Sequence, residues 1–304
     1  MNNYIKACVQ GMWFTYPGIN SIKNKWLRWF MKILVLPAIF LRILRLILLR
    51  RVEIPGVEMV ITTKCTLRCK DCAHLIQHYG KPSHVDAGVL LEDMENLLNA
   101  VSVVYVFKLI GGETFLHPKL SVILDRAVNS SKIKFIEVFT NATILPSKEL
   151  LTSLKHPKVK VQISNYGKYS RYCSELQELL KKENISYNMV ESLSWTDTGG
   201  PQCRNRNTDE LKKLFSACAF NKCNSFLNGE FHICPRSSNG MNLGLVPRMD
   251  AEYARIKGAP AKEAGKRIRD LYRLKYISAC NYCDGVTPWG KQIPAGIQLK
   301  GPEK

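Results

Sequence analysis

The chain has 304 residues, of which 46% are apolar and 23% are charged. A chain of this length and composition can bury a substantial core in one large domain or two modest ones, and it is too apolar to be intrinsically disordered. It contains eleven cysteines, mostly clustered, and its first residues lack the short apolar region and cleavage site of a signal peptide. We therefore expect a cytoplasmic protein whose cysteines bind metal, and not a secreted protein with disulfides.

The net charge of +19 is concentrated at the start of the chain. Residues 1–51 contain nine Lys or Arg and no Asp or Glu, which leaves +10 for the other 253 residues. Between residues 21 and 51 the basic residues alternate with large apolar ones, which predicts an amphipathic helix that Pro37 kinks or divides. On that helix an arc of about 140° would hold five basic residues: Arg28, Lys32, Arg42, Arg45 and Arg50.

Residues 1–52 are thus predicted to form a basic helical segment. Such a helix, with Trp and Phe on its apolar side, is typical of an anchor at an anionic membrane surface, and we favour this interpretation. The alternative is a helix pair packed on the rest of the protein. A membrane span is disfavoured because the longest uncharged run between residues 21 and 51, residues 33–41, has nine residues where about 20 are needed. Nucleic acid is not an expected partner, because the basic residues form no exposed polar stripe.

From residue 53 onwards short β-rich runs alternate with amphipathic stretches, which predicts βα units and a parallel sheet. Strands are predicted at 57–63, 103–110, 133–139, 158–164 and 186–190. Helices are predicted at 90–98, 118–129, 147–155 and 171–183, with Pro118 and Ser147 at two helix starts. These five units predict an α/β barrel or partial barrel whose active site lies at the C-terminal strand ends.

Three cysteines follow the first predicted strand in the sequence C-T-L-R-C-K-D-C: Cys65, Cys69 and Cys72. A four-iron cluster usually takes four thiolates, so three on one loop suggest a cluster with one iron left free for a small-molecule ligand. A zinc site completed by His74 or His78 is the alternative. The second predicted strand ends in Gly111, Gly112 and Glu113.

The C-x3-C-x2-C spacing and the Gly-Gly-Glu at a strand end together resemble the radical SAM superfamily, over roughly residues 56 to 290. The resemblance implies a partial (β/α)6 barrel, although the sixth strand is not evident in the sequence. It implies that Cys65, Cys69 and Cys72 bind a [4Fe-4S] cluster. It also implies that Gly111, Gly112 and Glu113 bind S-adenosylmethionine (SAM), with the Glu113 carboxylate accepting a hydrogen bond from the SAM amino group.

Two further strand ends carry hydroxyl and amide groups where the resemblance implies contacts to the SAM ribose and carboxylate. We expect these contacts from Thr140, Asn141 and Ser164, although such residues also favour ordinary turns. The chain departs from the superfamily at Asp71, where an aromatic residue often packs near the adenine. The group that stacks on adenine is therefore not assigned by the sequence.

A second set of cysteines follows residue 208: Cys218, Cys223, Cys234, Cys280 and Cys283. The hairpin signal Asn228-Gly229 precedes Cys234, and the spacing of Cys218, Gly229 and Cys234 resembles the motif that opens SPASM and Twitch domains. The resemblance implies that residues 53–207 are the radical SAM core and that residues 208–304 form a small Twitch-like domain. Its auxiliary [4Fe-4S] cluster would be bound by Cys218, Cys234, Cys280 and Cys283, with Cys223 as a substitute. A zinc ribbon is the alternative.

The superfamily resemblance implies an enzyme that reductively cleaves SAM to a 5′-deoxyadenosyl radical, with electrons from a flavodoxin- or ferredoxin-type donor. We favour an oxidoreductase or epimerase that acts at a carbinol carbon of a carbohydrate or cyclitol, which could be lipid-linked and reached at the inner face of the membrane. Maturation of a ribosomal peptide or protein is the alternative, and a non-catalytic zinc-binding membrane scaffold is a remote one. Two cysteines are candidate hydrogen-atom donors for epimerisation: Cys203 and Cys223.

Overall fold

The structure, a computed structural model, describes residues 3–13, 15–16, 19 and 22–299. Residue 21, where the helical pattern begins, and residues 300–304 of the predicted C-terminal domain lie outside this range. The helices are α1 (Asn3–Trp13), α2 (Lys25–Leu48), α3 (Ala87–Ala100), α4 (Leu120–Val128), α5 (Lys148–Leu154), α6 (Cys173–Lys182), α7 (Thr208–Ala217), α8 (Pro235–Asn242) and α9 (Ala261–Leu271). The strands are β1 (Glu53–Thr62), β2 (Val103–Gly111), β3 (Ile133–Thr140), β4 (Val159–Asn165), β5 (Tyr187–Glu191), β6 (Ser194–Thr196), β7 (Ser225–Leu227), β8 (Glu230–His232), β9 (Tyr253–Arg255) and β10 (Gln292–Pro294).

Eight strands form one sheet in the order β5-β4-β3-β2-β1-β7-β8-β9. Strands β1 to β5 are parallel, and helices α3 to α6 connect them, so their C-terminal ends meet at one edge. The α/β partial barrel predicted from the sequence is confirmed. The sixth parallel strand is β7, which pairs with β1 instead of following β5. The sequence predicts β7 only as part of a hairpin, because a strand of three residues gives no separate signal for its parallel pairing with β1.

The core lies between the sheet and helices α3 to α6, and it is made of aliphatic and aromatic side chains from both layers. Ser147 caps α5, as predicted, by accepting a hydrogen bond from the Leu150 amide at 3.2 Å. Pro118 lies two residues before the first residue of α4, whose N-cap is Lys119. Strand β1 begins four residues earlier than predicted, because the burial of Glu53 and Ile54 outweighs the poor strand propensity of Glu53, Pro55 and Gly56.

The N-terminal helices pack on the protein along one face. Tyr4, Cys8 and Met12 of α1 and Ile39 and Leu46 of α2 form a buried cluster with Tyr105. Helix α2 runs without a break through Pro37, so the predicted division of the helix does not occur. Among the described residues, no helix has the length and apolar character needed to cross a membrane.

The predicted basic arc of α2 lies partly towards the protein. The Arg42 guanidinium lies 5.6 Å from the Tyr105 ring centre and donates to the Thr15 hydroxyl at 3.4 Å. The Lys32 ammonium lies 5.9 Å from the Trp13 ring centre. The remaining surface of α2 is almost wholly apolar and exposed.

The C-terminal part adds to the same sheet. Strands β7 and β8 form the predicted hairpin, with Asn228 and Gly229 at φ angles of 52° and 73°. Strand β9 continues it in antiparallel pairing. Strand β10 instead pairs with β6, and this two-stranded ribbon lies beside the C-terminal ends of β1 to β4.

Candidate active site and cluster sites

The loop that follows β1 carries Cys65, Cys69 and Cys72 to the C-terminal edge of the sheet. All three line a cavity of about 510 Å³, which we call the strand-end cavity. The predicted SAM-binding residues, apart from Glu113, line the same cavity: Gly111, Gly112, Thr140, Asn141 and Ser164. The structure therefore brings together residues from four strand ends, which lie up to 99 positions apart in the sequence (from Cys65 to Ser164).

Two glycines hold the cysteine loop against β2. A side chain at Gly111 would overlap the Thr62 carbonyl oxygen, and one at Gly112 would overlap the Lys64 carbonyl and lie 2.8 Å from the Cys65 Cβ. The Gly112 amide donates to the Thr62 carbonyl at 2.9 Å, and the Glu113 amide donates to the Lys64 carbonyl at 2.9 Å. Glycine is thus needed here for the close approach of two backbone segments.

Glu113 is fully buried and does not line the strand-end cavity. Its carboxylate accepts hydrogen bonds from the Phe115 amide at 3.0 Å and the Asn141 amide at 2.8 Å. Burial raises the pKa of Glu113 to about 7, although the amide donors oppose the shift. In this arrangement the side chain ties the β2 end to the β3 end, and its contact with a SAM amino group stays a prediction.

Asn141 links β3 to the cysteine loop. Its side-chain amide donates to the Thr66 hydroxyl at 3.3 Å and to the Cys65 sulfur at 3.6 Å. The Thr140 hydroxyl accepts from the Ala142 amide at 3.1 Å, which shapes the turn after β3. The contacts of Thr140, Asn141 and Ser164 with SAM remain predictions.

The aromatic residues Tyr166 and Trp195 also line the strand-end cavity, and their ring centres are 5.4 Å apart in an edge-to-face contact. Sequence reasoning missed both. Tyr166 directly follows Asn165, the last residue of β4, and this position at a strand end is the signal from which the sequence could have indicated it. Trp195 lies in β6, which carries no strand-end signal of its own, and only the pairing of β6 with β10 places it here.

Hydrogen-bond donors surround the sulfur atoms of the cysteine loop. The Leu67 amide lies 3.4 Å from the Cys65 sulfur, and the Gln298 side-chain amide lies 3.3 Å from the Cys69 sulfur. Residues 297–299 pair with residues 68–70 through the Lys70 and Leu299 amides, each at 2.8 Å from its acceptor. Such donors are typical of iron–sulfur ligands.

Burial raises the pKa of the Cys65 thiol to about 12 and that of Cys69 to about 11. The thiolate form of these residues therefore needs a bound cation.

The inner part of the strand-end cavity is charged. The Glu58 carboxylate lies 3.2 Å from the Lys108 ammonium and 3.4 Å from the His74 ring nitrogen. The pKa of Glu58 lies below its ordinary value. Burial alone would raise it, but the interactions of the carboxylate with His74 and Lys108 lower it by more. His74, a candidate zinc ligand, is thus engaged with Glu58.

Four cysteines of the second set line one small cavity, the cysteine cavity: Cys218, Cys234, Cys280 and Cys283. The apolar side chains of Leu214, Phe215 and Ile277 line it as well. The Gly285 amide lies 3.2 Å from the Cys283 sulfur and the Val286 amide 3.3 Å from the Cys218 sulfur. Cys223 does not line this cavity, so the geometry favours Cys218 over Cys223 as a ligand.

The two candidate hydrogen donors have different surroundings. Cys203 is exposed, and its sulfur lies 3.2 Å from the Asn205 side-chain oxygen and 3.4 Å from the Asn281 side-chain amide. Cys223 is half-buried near Glu58 and Lys108, and burial raises the pKa of its thiol to about 11. Of these two cysteines, Cys223 is therefore the one that lies beside residues of the strand-end cavity.

Among the described residues, no three His, Cys, Asp or Glu side chains meet closely enough to hold a single metal ion. A four-iron cluster binds each thiolate at a different iron, so its ligands line a cavity instead of meeting at one point. The three thiols of the strand-end cavity and the four thiols of the cysteine cavity have this arrangement, with donors aimed at the sulfurs. The thiols at both sites thus have the donor chemistry of iron–sulfur ligands.

The fold and the site define an α/β partial barrel with a cysteine-lined cavity at its strand ends. No protein-family model and no curated protein match the chain. Among solved structures, BtrN in complex with AdoMet and 2-DOIA has a TM-score of 0.49 at 15% identity, over 76% of this chain and 93% of BtrN. Native anSMEcpe with bound AdoMet has a TM-score of 0.45 at 14% identity, over 72% of this chain and 82% of anSMEcpe.

Streptococcus suis SuiB bound to precursor peptide SuiA has a TM-score of 0.37 at 14% identity, over 56% of this chain and 38% of SuiB. In other matches the chain spans 32% of SuiB and 42% of anSMEcpe with bound AdoMet and peptide. BtrN, anSMEcpe and SuiB are radical SAM enzymes. Every one of these TM-scores is below 0.5, so the function of this chain has to be argued from its own residues.

Proposed function

We propose that the protein is a radical SAM enzyme. The observation that carries this proposal is the convergence of Cys65, Cys69 and Cys72 with the Gly111-Gly112 turn and the polar ends of β3 and β4 on one cavity. When bound, a cluster on the three thiolates supplies the electron that cleaves SAM. The volume of about 510 Å³ is in the range of small-molecule sites.

The chain's own residues would hold SAM around that cluster. The Gly111-Gly112 turn exposes backbone to the cavity, and Thr140, Asn141 and Ser164 offer hydroxyl and amide groups. Tyr166 and Trp195 supply the aromatic surfaces that Asp71 does not, and we assign the adenine contact to this pair.

A carbohydrate or cyclitol is the substrate class that the cavity supports best. Glu58, Lys108 and His74 offer fixed hydrogen-bond acceptors and donors inside the cavity, and such groups suit the hydroxyls of a polyol. A carboxylate that stays ionised can also accept the proton of a carbinol hydroxyl during oxidation. Oxidation or epimerisation at a carbinol carbon is therefore our proposed reaction.

The second cysteine set would hold an auxiliary [4Fe-4S] cluster in a Twitch-like arrangement. Its ligands would be Cys218, Cys234, Cys280 and Cys283, which share one cavity with apolar walls. Such walls exclude water, and this lowers the dielectric around a cluster and tunes its potential.

The direct test is anaerobic reconstitution with iron and sulfide, followed by incubation with SAM and dithionite or a reduced flavodoxin. We expect release of 5′-deoxyadenosine, measured by liquid chromatography and mass spectrometry. A reconstituted protein that binds SAM but releases no 5′-deoxyadenosine under either reductant would exclude the proposed function.

We also propose that α2 holds the enzyme at an anionic membrane surface, at the inner face of a cytoplasmic membrane. Its outward surface carries large exposed apolar side chains along the whole helix, including Trp26 (80% exposed), Phe40 (64%) and Leu48 (69%). Contiguous apolar surface of this extent is rare on monomeric proteins and marks an interaction site.

The charges around α2 favour lipid over a second copy of the chain. Residues 1–51 have nine basic and no acidic residues, so two such segments would repel each other, whereas anionic headgroups add about 1 kcal/mol per basic residue. Lys32 and Arg42 lie on the side of the helix that carries them towards the rings of Trp13 and Tyr105, at 5.9 and 5.6 Å from the ring centres. An in-plane helix with its apolar face in lipid would place these charges near the headgroups.

Substitution tests the membrane proposal better than deletion, because residues of α1 and α2 are part of a buried cluster. We expect that a variant with Trp26, Trp29, Phe30 and Phe40 changed to serine loses at least tenfold in binding to phosphatidylglycerol-containing vesicles, since it loses apolar contact with lipid. Vesicle sedimentation measures the bound fraction.

The matched control changes four exposed apolar residues elsewhere to serine: Val122, Val190, Leu193 and Met249. It should bind vesicles as the wild type does. Unchanged binding by the α2 variant, or wild-type dimers in light scattering that the α2 variant abolishes, would overturn the membrane assignment.

A further inference from the structure

Arg236 is a buried cation between the two cysteine sets. It is the second residue of α8, two positions after Cys234, and is only 3% exposed. It lines the cysteine cavity, and it donates at 3.2 Å to the hydroxyl of Thr198, which lines the strand-end cavity. The guanidinium therefore lies in the wall between the two sites.

The hydrogen bonds of Arg236 go to neutral oxygens. Besides Thr198, it donates to the Gly199 carbonyl at 2.9 Å and to the Tyr282 carbonyl at 3.2 Å, the latter on the turn that carries Cys280 and Cys283. Within the part of the chain that the structure describes, no carboxylate lies within 4.0 Å of this guanidinium. By contrast, Arg204 and Arg206 nearby both pair with Asp284, at 2.9 and 2.5 Å.

A buried guanidinium without a counter-charge is strongly unfavourable, because arginine does not lose its proton in proteins and burial removes its hydration. Thiolate-bound iron–sulfur clusters are anionic and would supply the missing charge.

We infer that Arg236 is a positioning residue that serves as the shared counter-charge of both iron–sulfur sites, and this inference rests on the proposed function. Its charge is unfavourable in the cluster-free protein and favourable once the clusters are bound. It also stabilises the reduced, more negative form of each cluster and so raises its reduction potential.

The test compares Arg236→Gln with the wild type before and after anaerobic reconstitution. We expect the cluster-free variant to melt at the same or a higher temperature than the cluster-free wild type, and the reconstituted variant to melt at a lower temperature than the reconstituted wild type. The reduction equilibrium of at least one cluster, followed by electron paramagnetic resonance in a redox titration, should shift about tenfold, or about 59 mV, towards the oxidised form.

Two variants separate charge from packing. Arg236→Lys keeps the charge and should keep the wild-type potentials. Arg206→Gln removes donors to the Cys280 and Cys283 carbonyls, at 2.8 and 2.7 Å, but its charge is paired, so the potentials should shift much less.

Equal destabilisation of both forms by Arg236→Gln, a cluster-free variant that fails to fold, or unchanged potentials would each overturn the inference. A wild-type protein that binds no iron would instead overturn the proposed function, so the two failures are distinguishable.

Discussion

Changing Cys65, Cys69 and Cys72 together to alanine should lower the iron content from about eight to about four irons per chain, because each four-iron cluster has its own ligand set. The same variant should release no 5′-deoxyadenosine, since its remaining cluster lies in the cysteine cavity and not in the strand-end cavity. Iron and zinc content are measured by inductively coupled plasma mass spectrometry after anaerobic reconstitution.

The matched control removes three cysteines that line neither cavity: Cys8, Cys173 and Cys203. It should retain about eight irons and SAM cleavage. Changing Cys218, Cys234, Cys280 and Cys283 to alanine should leave about four irons, all in the strand-end cavity. Zinc in both sites of the wild type, or only four irons there, would contradict the two-cluster assignment and restore the zinc alternatives.

The spacing of residues along the sequence was enough to predict those site residues that lie together on one loop or at one strand end. Cys65, Cys69 and Cys72 are close in sequence, and Gly111 and Thr140 end strands that the sequence shows as clear β-rich runs, so a parallel sheet brings them together. The choice of Cys218 over Cys223 was open in the sequence. Which of the two lines the cysteine cavity depends on how the short 3-10 turns at residues 219–222 and 278–282 lie against each other, and cysteine spacing does not encode this.

Long-range contacts account for what the sequence did not reveal. Gln298 contacts Cys69 across 229 positions, and the Arg236 environment depends on segments near residues 199 and 282. The sequence also left the orientation of α2 undecided. A helical wheel of α2 shows an apolar side and a basic side, but it does not tell which side packs on the protein. The structure decides this at Tyr105, the third residue of β2, which shares a buried cluster with Ile39 and has the Arg42 guanidinium 5.6 Å from its ring centre.

The second large effect that we expect concerns the substrate radical. We expect Cys223, and not Cys203, to donate the hydrogen atom that this radical takes up. An epimerase must return a hydrogen atom to the substrate carbon from the opposite face, and a thiol can donate it because its S–H bond is weaker than most C–H bonds. Burial keeps Cys223 in its thiol form at neutral pH, since it raises the pKa to about 11. The residue lies beside Glu58 and Lys108 of the strand-end cavity, whereas Cys203 is exposed near Asn281.

Cys223→Ala should therefore leave SAM cleavage intact while the epimerised product disappears, and Cys203→Ala should change neither. In D2O the exchangeable S–H becomes S–D, so wild-type turnover should place one deuterium in the product, measured by mass spectrometry. In this step the thiol gives one hydrogen atom to the substrate carbon, and the resulting sulfur radical then takes one electron from the reductant and one proton from solvent.

A product two mass units lighter, without deuterium and unaffected by either substitution, would show that the substrate radical loses an electron and a proton instead. In that case the enzyme is a dehydrogenase, Glu58 is the group beside the cavity able to accept the proton, and Cys223 has no part in the chemistry.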